Sequence, residues 1–242
     1  MTSIEKNVLD FYSELICTDN NRYKSWEHCY QNFQSTFNKK SLTKIEIDFL
    51  SVHLAFYLAS WGMYRGSSFL LERDYKIFYP IVELLFLEKE FFTESTIEDM
   101  LKQKDEKWIS EFIERYFHLD KKLELSLEKI RKSVKGEINT PISYTLKSKI
   151  LLGTFGCIPA YDRFFINGIK INNMDYHITQ KYSKKSLRDI MNFIQDNLEI
   201  FISTRTKISQ IQNESKNLNK IKYPIMKLID MYFWKIGFDQ GK

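Results

Sequence analysis

Cysteine, proline, histidine and glycine are all scarce in this 242-residue chain, which holds three, four, four and eight of them. Cys17, Cys29 and Cys157 are odd in number, far apart and never in a CxxC pair. This argues against a disulfide framework and a structural zinc site, and reads instead as small buried hydrophobes. His28, His53, His118 and His177 show no HExxH or other ligand spacing, so no metal or other cofactor is called for. No apolar run reaches the roughly 18 residues of a membrane span, the longest candidates being cut by Arg73, Asp74, Glu88 and Lys89. Glu5, Lys6, Asp10 and Glu14 interrupt the first apolar residues, which argues against a secretory signal; the expected location is the cytoplasm, with no membrane partner. No Walker loop, GxSxG elbow or dinucleotide fingerprint supports phosphotransfer, serine hydrolysis or redox chemistry.

What is present is apolar and aromatic. Hydrophobic residues make up 43% and aromatics 15%, enough for a sizeable core in one large or two small domains. With few breakers and helical rather than alternating spacing, the expected class is all-α, a two-lobed multi-helix globule with room for one minor β-hairpin. Ser3 is placed to cap a helix carrying Val8, Tyr12 and Leu15, and a second runs through Trp26, Tyr30, Phe33 and Phe37. A third starts at a Thr43-x-x-Glu46 capping box and turns Ile47, Leu50, Leu54 and Leu58 inward. Further helices are predicted at Ile81–Glu90, Thr96–Lys102, Glu106–Phe117, Leu123–Lys135, Thr145–Phe155, Lys185–Glu199 and Ile221–Ile236. The Asn167-Gly168 pair and Asn172-Asn173 suggest a short hairpin between Phe164 and Ile178. The polar stretch Gln210–Lys220 reads as a surface loop or a solvated helix end.

Charge divides the chain. Residues 1–120 carry 14 Lys and Arg against 20 Asp and Glu, whereas residues 121–242 carry 22 against 11. An acidic lobe over 1–120 and a basic lobe over 121–242, separate or merged into one compact domain, fit a molecule with one face turned to a polyanion. A Lys-, Asn- and Ile-rich composition also arises from an AT-rich genome, so charge alone leaves both explanations open.

Two segments carry chemical content. In Ala55–Phe69 small residues alternate with aromatics around one cation. Gly62 and Gly66, followed by Ser67 and Ser68, suit either a close helix crossing or a helix end facing a ligand. Trp61 and Arg65 share a face if the helix continues, a stacking surface beside a cation. In Leu146–Phe165 an apolar helix ends at Phe155-Gly156, Pro159 blocks its continuation, and Asp162 follows among apolar and aromatic residues. Asp162 is then an N-cap for a following helix, a partner for Arg163, or a functional carboxylate.

The run Ile150-Leu-Leu-Gly-Thr-Phe-Gly156, with Ile158-Pro-Ala-Tyr-Asp162, resembles the catalytic stretch of the helix-hairpin-helix DNA glycosylases over about 20 residues. The Ser60-Trp-Gly-Met-Tyr-Arg-Gly-Ser-Ser68 signature is similar to that of a group of bacterial proteins, some linked to glycosylase-based defence against phages with modified bases. The first resemblance puts Asp162 on the catalytic aspartate and Phe155-Gly156 on the end of the second hairpin helix. The hairpin itself falls on Asn139-Thr-Pro-Ile-Ser143, which keeps the proline and has neither glycine. Ser143, Thr140, Lys147 and Lys149, with Arg163 beyond the aspartate, are then the donors for phosphate, and Gly136 lies just upstream.

The implied activity is excision of a flipped damaged or hypermodified base, such as glucosylated hydroxymethylcytosine, from double-stranded DNA, in phage defence or base-excision repair. The implied roles are Asp162 for catalysis, with Trp61, Arg65, Ser67 and Tyr161 around the base or sugar. The lysine of strand-cutting relatives falls near Thr145. Lys147, two residues on, is turned by about 200° to the opposite helix face, which implies hydrolysis without strand cleavage. The alternative class is a non-enzymatic helical module that binds nucleic acid or protein, with Asp162 as a cap.

Overall fold

Hydroxyl side chains set several of the helix starts. In the computed structural model, which describes residues 3–66, 68–133, 141–172, 177–215 and 217–241, the Thr43 hydroxyl accepts from Glu46 N while the Glu46 carboxylate accepts from Thr43 N, completing the capping box. Thr93, Ser143 and Ser183 cap three more helices through their side-chain oxygens. The described residues form eleven α-helices and no strand. They are α1 (Ser3–Ile16), α2 (Lys24–Thr36), α3 (Lys44–Ser60), α4 (Tyr79–Glu88), α5 (Glu94–Gln103), α6 (Glu106–Ser133), α7 (Tyr144–Thr154), α8 (Arg163–Asn172), α9 (Lys184–Asp196), α10 (Leu198–Glu214) and α11 (Ile225–Asp239). The all-α class therefore holds. No helix among the described residues is long and apolar enough to cross a membrane.

Two helices lie at the centre. Every residue of α7 from Leu146 to Thr154 is buried, as is every residue of α11 from Ile225 to Lys235. A helix covered on all sides belongs to a core rather than a surface. α7 packs against α2, α3 and α6, while α11 packs against α1, α8 and α10.

Four expectations are corrected. The hairpin between Phe164 and Ile178 is absent where described, because Arg163–Asn172 is the helix α8. Gly168 is no turn residue but lies where α8 crosses α11: a Cβ there would stand 1.8 Å from the Phe233 carbonyl oxygen, and one on Gly237 would stand 1.9 Å from that of Phe164. Glu106–Phe117 and Leu123–Lys135 are one helix, α6. The polar residues between them include Asp120, which is buried and receives the Lys147 amine and the Tyr182 hydroxyl. Helix α10 was not predicted at all, because its buried face includes Thr204, Arg205 and Gln212 among the apolar residues, diluting the periodic signal.

The acidic and basic halves are each other's partners. The 120/121 division falls inside α6, and ion pairs cross it at Asp120–Lys147, Glu114–Lys184, Glu106–Arg188, Glu98–Arg205, Glu98–Lys222 and Glu14–Lys235. The charge asymmetry thus reflects internal pairing to a large extent, and its excess is not all turned to a polyanion.

Candidate active site

Helix α3 stops at Trp61 because Gly62 takes φ +76°, a left-handed conformation that costs glycine little. The chain then folds back. A Cβ on Gly62 would meet Arg65 Nε and Cζ at 2.9 Å, so the guanidinium of Arg65 lies over the bare glycine. Trp61 and Arg65 therefore come together through a turn, not through a continued helix, and the Gly62/Gly66 pair makes no helix crossing.

The second segment ends α7 at Thr154, and Gly156 (φ +64°) turns the chain toward Asp162. Each residue before the aspartate is fastened. Ala160 N donates to Asp230 Oδ1 at 2.9 Å, Tyr161 N to Ser148 Oγ at 2.9 Å, and Thr145 Oγ1 donates to the Tyr161 carbonyl at 2.9 Å. Asp162 then uses both of its oxygens. Oδ1 accepts from Phe164 N and Phe165 N at 3.0 Å each, capping α8, and Oδ2 accepts from Lys149 Nζ at 2.9 Å. The Lys149 side chain is 3% exposed and that of Asp162 is 14% exposed.

Lys149 also sits 4.9 Å from the Trp61 ring centroid. Behind that ring lies a second buried pair, Lys227–Asp230, at 2.8 Å, with the Lys227 amine 5.6 Å from Trp61 and 5.0 Å from Trp26. Tyr23 stacks on Trp61 (5.3 Å, 19°) and Trp234 meets it edge-on. Burial, followed by negative neighbours including Asp230 and Asp162, holds the Tyr57 phenol well above its ordinary pKa, and burial pushes Tyr64 up to about 12.

Asp162 and Lys149 form part of the lining of a cavity of about 740 Å³, together with Trp61, Tyr64, Phe164 and Trp234. Arg22, Arg65 and Arg163 also line it. Of the eight arginines, four are in ion pairs, with Glu111, Glu128, Glu106 and Glu94. Three of the other four are the arginines of this cavity. Among the described residues Asp162 is the only carboxylate in the lining. Among the described residues no cluster of three or more His, Cys, Asp or Glu is placed to hold a metal.

The cavity brings together Asp162, Trp61, Arg65, Lys149 and Arg163, and it separates other expected site residues. Tyr161 is buried, its hydroxyl bound to Ser186 Oγ, and it lines not this cavity but the neighbouring cleft along α8. Lys147 is no phosphate ligand: its amine is buried between Asp120 and Glu124, at 2.7 Å from each. Its amine serves these carboxylates rather than phosphate or solvent, while Thr145 lines the cavity. Lys149, one turn beyond Thr145, is likewise no surface cation but the charge partner of Asp162. Arg163 pairs with no carboxylate and lies 4.6 Å from the Phe164 ring. Trp61 is half-buried, with Tyr23 and Lys149 both packed on its ring. Ser143 caps α7 beside a neighbouring cleft that also holds Arg65. Ser67, Thr140 and Gly136 lie outside the described residues.

Arg22, Tyr64 and Trp234 were missed. Arg22 stands alone in a polar loop, which carries no periodic signal. A readable signal did exist for α11, where Lys227 and Asp230 stand three apart within the apolar run 225–234 and so must be paired inside. No protein-family model, curated protein or solved structure matches this chain.

Proposed function

We propose that the chain is a DNA glycosylase that hydrolyses the N-glycosidic bond of a flipped base and leaves an abasic site. The observation that carries this reading is the Asp162 carboxylate, oriented by two backbone N–H groups and Lys149 in an aromatic cavity lined by three arginines that are in no ion pair among the described residues. A nucleotide must leave the stack for its C1′ to be reached, and a cavity of about 740 Å³ has room for one. As the C1′–N bond breaks, its electron pair leaves with the base and positive charge grows on the sugar. A fixed carboxylate stabilises that charge and orients the attacking water, whose oxygen bonds to C1′ while its proton ends on the departing base.

The enzyme is monofunctional in this reading, because the Lys149 amine is bound to Asp162 and water is the nucleophile. Borohydride added during turnover traps no protein–DNA adduct; an adduct lost in Lys149→Met would instead identify an attacking amine. The resemblances described above favour a damaged or hypermodified base as the target and phage defence or base-excision repair as the setting.

The second reading is a helical binding module without catalysis. It is favoured by the complete structural use of Asp162, whose two oxygens cap α8 and neutralise Lys149. Incubation with single strands and duplexes bearing normal, damaged or glucosylated bases, followed by alkali, decides between them. Strand breaks at one base type support the glycosylase, and intact strands throughout support the module.

A further inference from the structure

The Asp162 cavity continues past Arg163 into a second cleft of about 680 Å³ along α8, with Thr145, Arg163 and Phe164 common to both linings. Among the described residues no carboxylate lines this second cleft, whereas Arg163 and Lys170 both do. Neither is in an ion pair among the described residues. Other clefts of the molecule are lined by carboxylates, Glu90 in one and Glu88 and Glu114 in another. The α8 cleft thus presents two cations without a counter-charge among the described residues, next to the arginines of the Asp162 cavity.

It also holds an aromatic platform. Tyr144, the first residue of α7, is 44% exposed, an unusual state for a large ring, and it stacks on Tyr182 (5.7 Å, 16°). Tyr182 is itself anchored, since its hydroxyl donates to Asp120 Oδ1 at 2.6 Å. A fixed ring with an open side next to cations suits a nucleobase with its phosphate.

We propose that the cleft between Tyr144, Arg163 and Lys170 is a second nucleotide subsite, holding the neighbour of the nucleotide in the Asp162 cavity with its base on Tyr144 and its phosphate against Arg163 and Lys170. This rests on the nucleic-acid reading of the Asp162 cavity. Two consecutive bases taken out of the stack cannot remain paired, so the preferred substrate is a single strand or an unpaired stretch of a duplex.

Calorimetric titration of the intact chain with thymidine 5′-monophosphate, the thymidine dinucleotide and the tetranucleotide tests this directly. Affinity rises at least tenfold from mononucleotide to dinucleotide, and a single strand binds at least tenfold tighter than the blunt duplex of the same sequence. Tyr144→Ser and Lys170→Gln each remove most of the gain and leave mononucleotide binding unchanged, and Lys170→Gln lowers the log–log salt slope by about 0.7. Both side chains are exposed, so unchanged melting temperatures confirm that the variants fold. Equal affinity for one and two nucleotides, variants that bind like the parent chain, or no binding of any probe overturns the subsite. Length-dependent binding without base release leaves the subsite standing and removes the glycosylase. Base release with both variants unaffected does the reverse.

Discussion

Asp162 performs two tasks at once, and its variants separate them. Asp162→Asn retains a cap for α8 but leaves Lys149 buried without a counter-charge, which costs about 3 kcal/mol. If the carboxylate is catalytic, excision by the folded variant also falls by about two decades or more. Asp162→Asn combined with Lys149→Met restores most of the stability, as urea denaturation reads it, and none of the excision; excision that returns with stability makes the carboxylate structural. A second residue-scale prediction concerns Glu94. Burial, opposed by Arg205 and the Ile225 N–H, raises its pKa to about 7, while the neighbouring Glu98 keeps its charge. A carboxyl with a raised folded-state pKa stabilises the fold fully below its unfolded value near 4.5, and that contribution is lost as pH rises through about 7. The chain is therefore less stable at pH 8.5 than at pH 6, by about 1 kcal/mol, and Glu94→Gln flattens the difference. A melting temperature in Glu94→Gln that still falls over this range as in the parent would exclude Glu94 as its cause.

At the scale of elements, the crossing of α8 and α11 fixes where Asp162 stands, because α8 begins at its cap. Gly168→Ala gains about 1 kcal/mol of helix propensity but places a methyl group 1.8 Å from a backbone oxygen that cannot rotate away. The clash wins, with a net loss of about 2 kcal/mol or more by urea denaturation and a drop in excision beyond the loss of folded protein. Much of the helical layout was legible in the sequence, since caps such as Thr43 and the stop at Phe155-Gly156 act over three or four residues. The Asn167-Gly168 pair misled because a glycine demanded by a distant backbone looks the same as one demanded by a turn. The site was half legible for a related reason. Asp162, Trp61 and Arg65 lie in segments of unusual composition, whereas the roles of Lys147 and Lys149 depend on partners in α6 and after α7 that spacing alone does not reveal.

For the whole molecule, net charge is a poor guide to affinity for nucleic acid, because so many lysines and arginines of the basic half bind carboxylates of the acidic one. The two adjoining clefts present four cations that are in no ion pair among the described residues, Arg22, Arg65, Arg163 and Lys170, so the log–log salt slope for a single strand bound there is about −3, the sum of about 0.7 for each phosphate neutralised. A slope steeper than about −6 would reveal a larger basic face. Lys147→Ala destabilises the fold by leaving Asp120 without its ammonium, and it leaves that slope unchanged. The placement of α11 at the centre bears on how the chain is made. Synthesis delivers α11 after all ten other helices, yet α11 supplies Asp230, which fastens the loop before Asp162, and Lys227 and Trp234 behind Trp61. A nascent chain that ends at α10 has the apolar faces of α1 and α8 uncovered and the loop before Asp162 untethered, so it is a client for chaperones. The Asp162 cavity is then completed in one step, when α11 slides between helices that have been waiting for it.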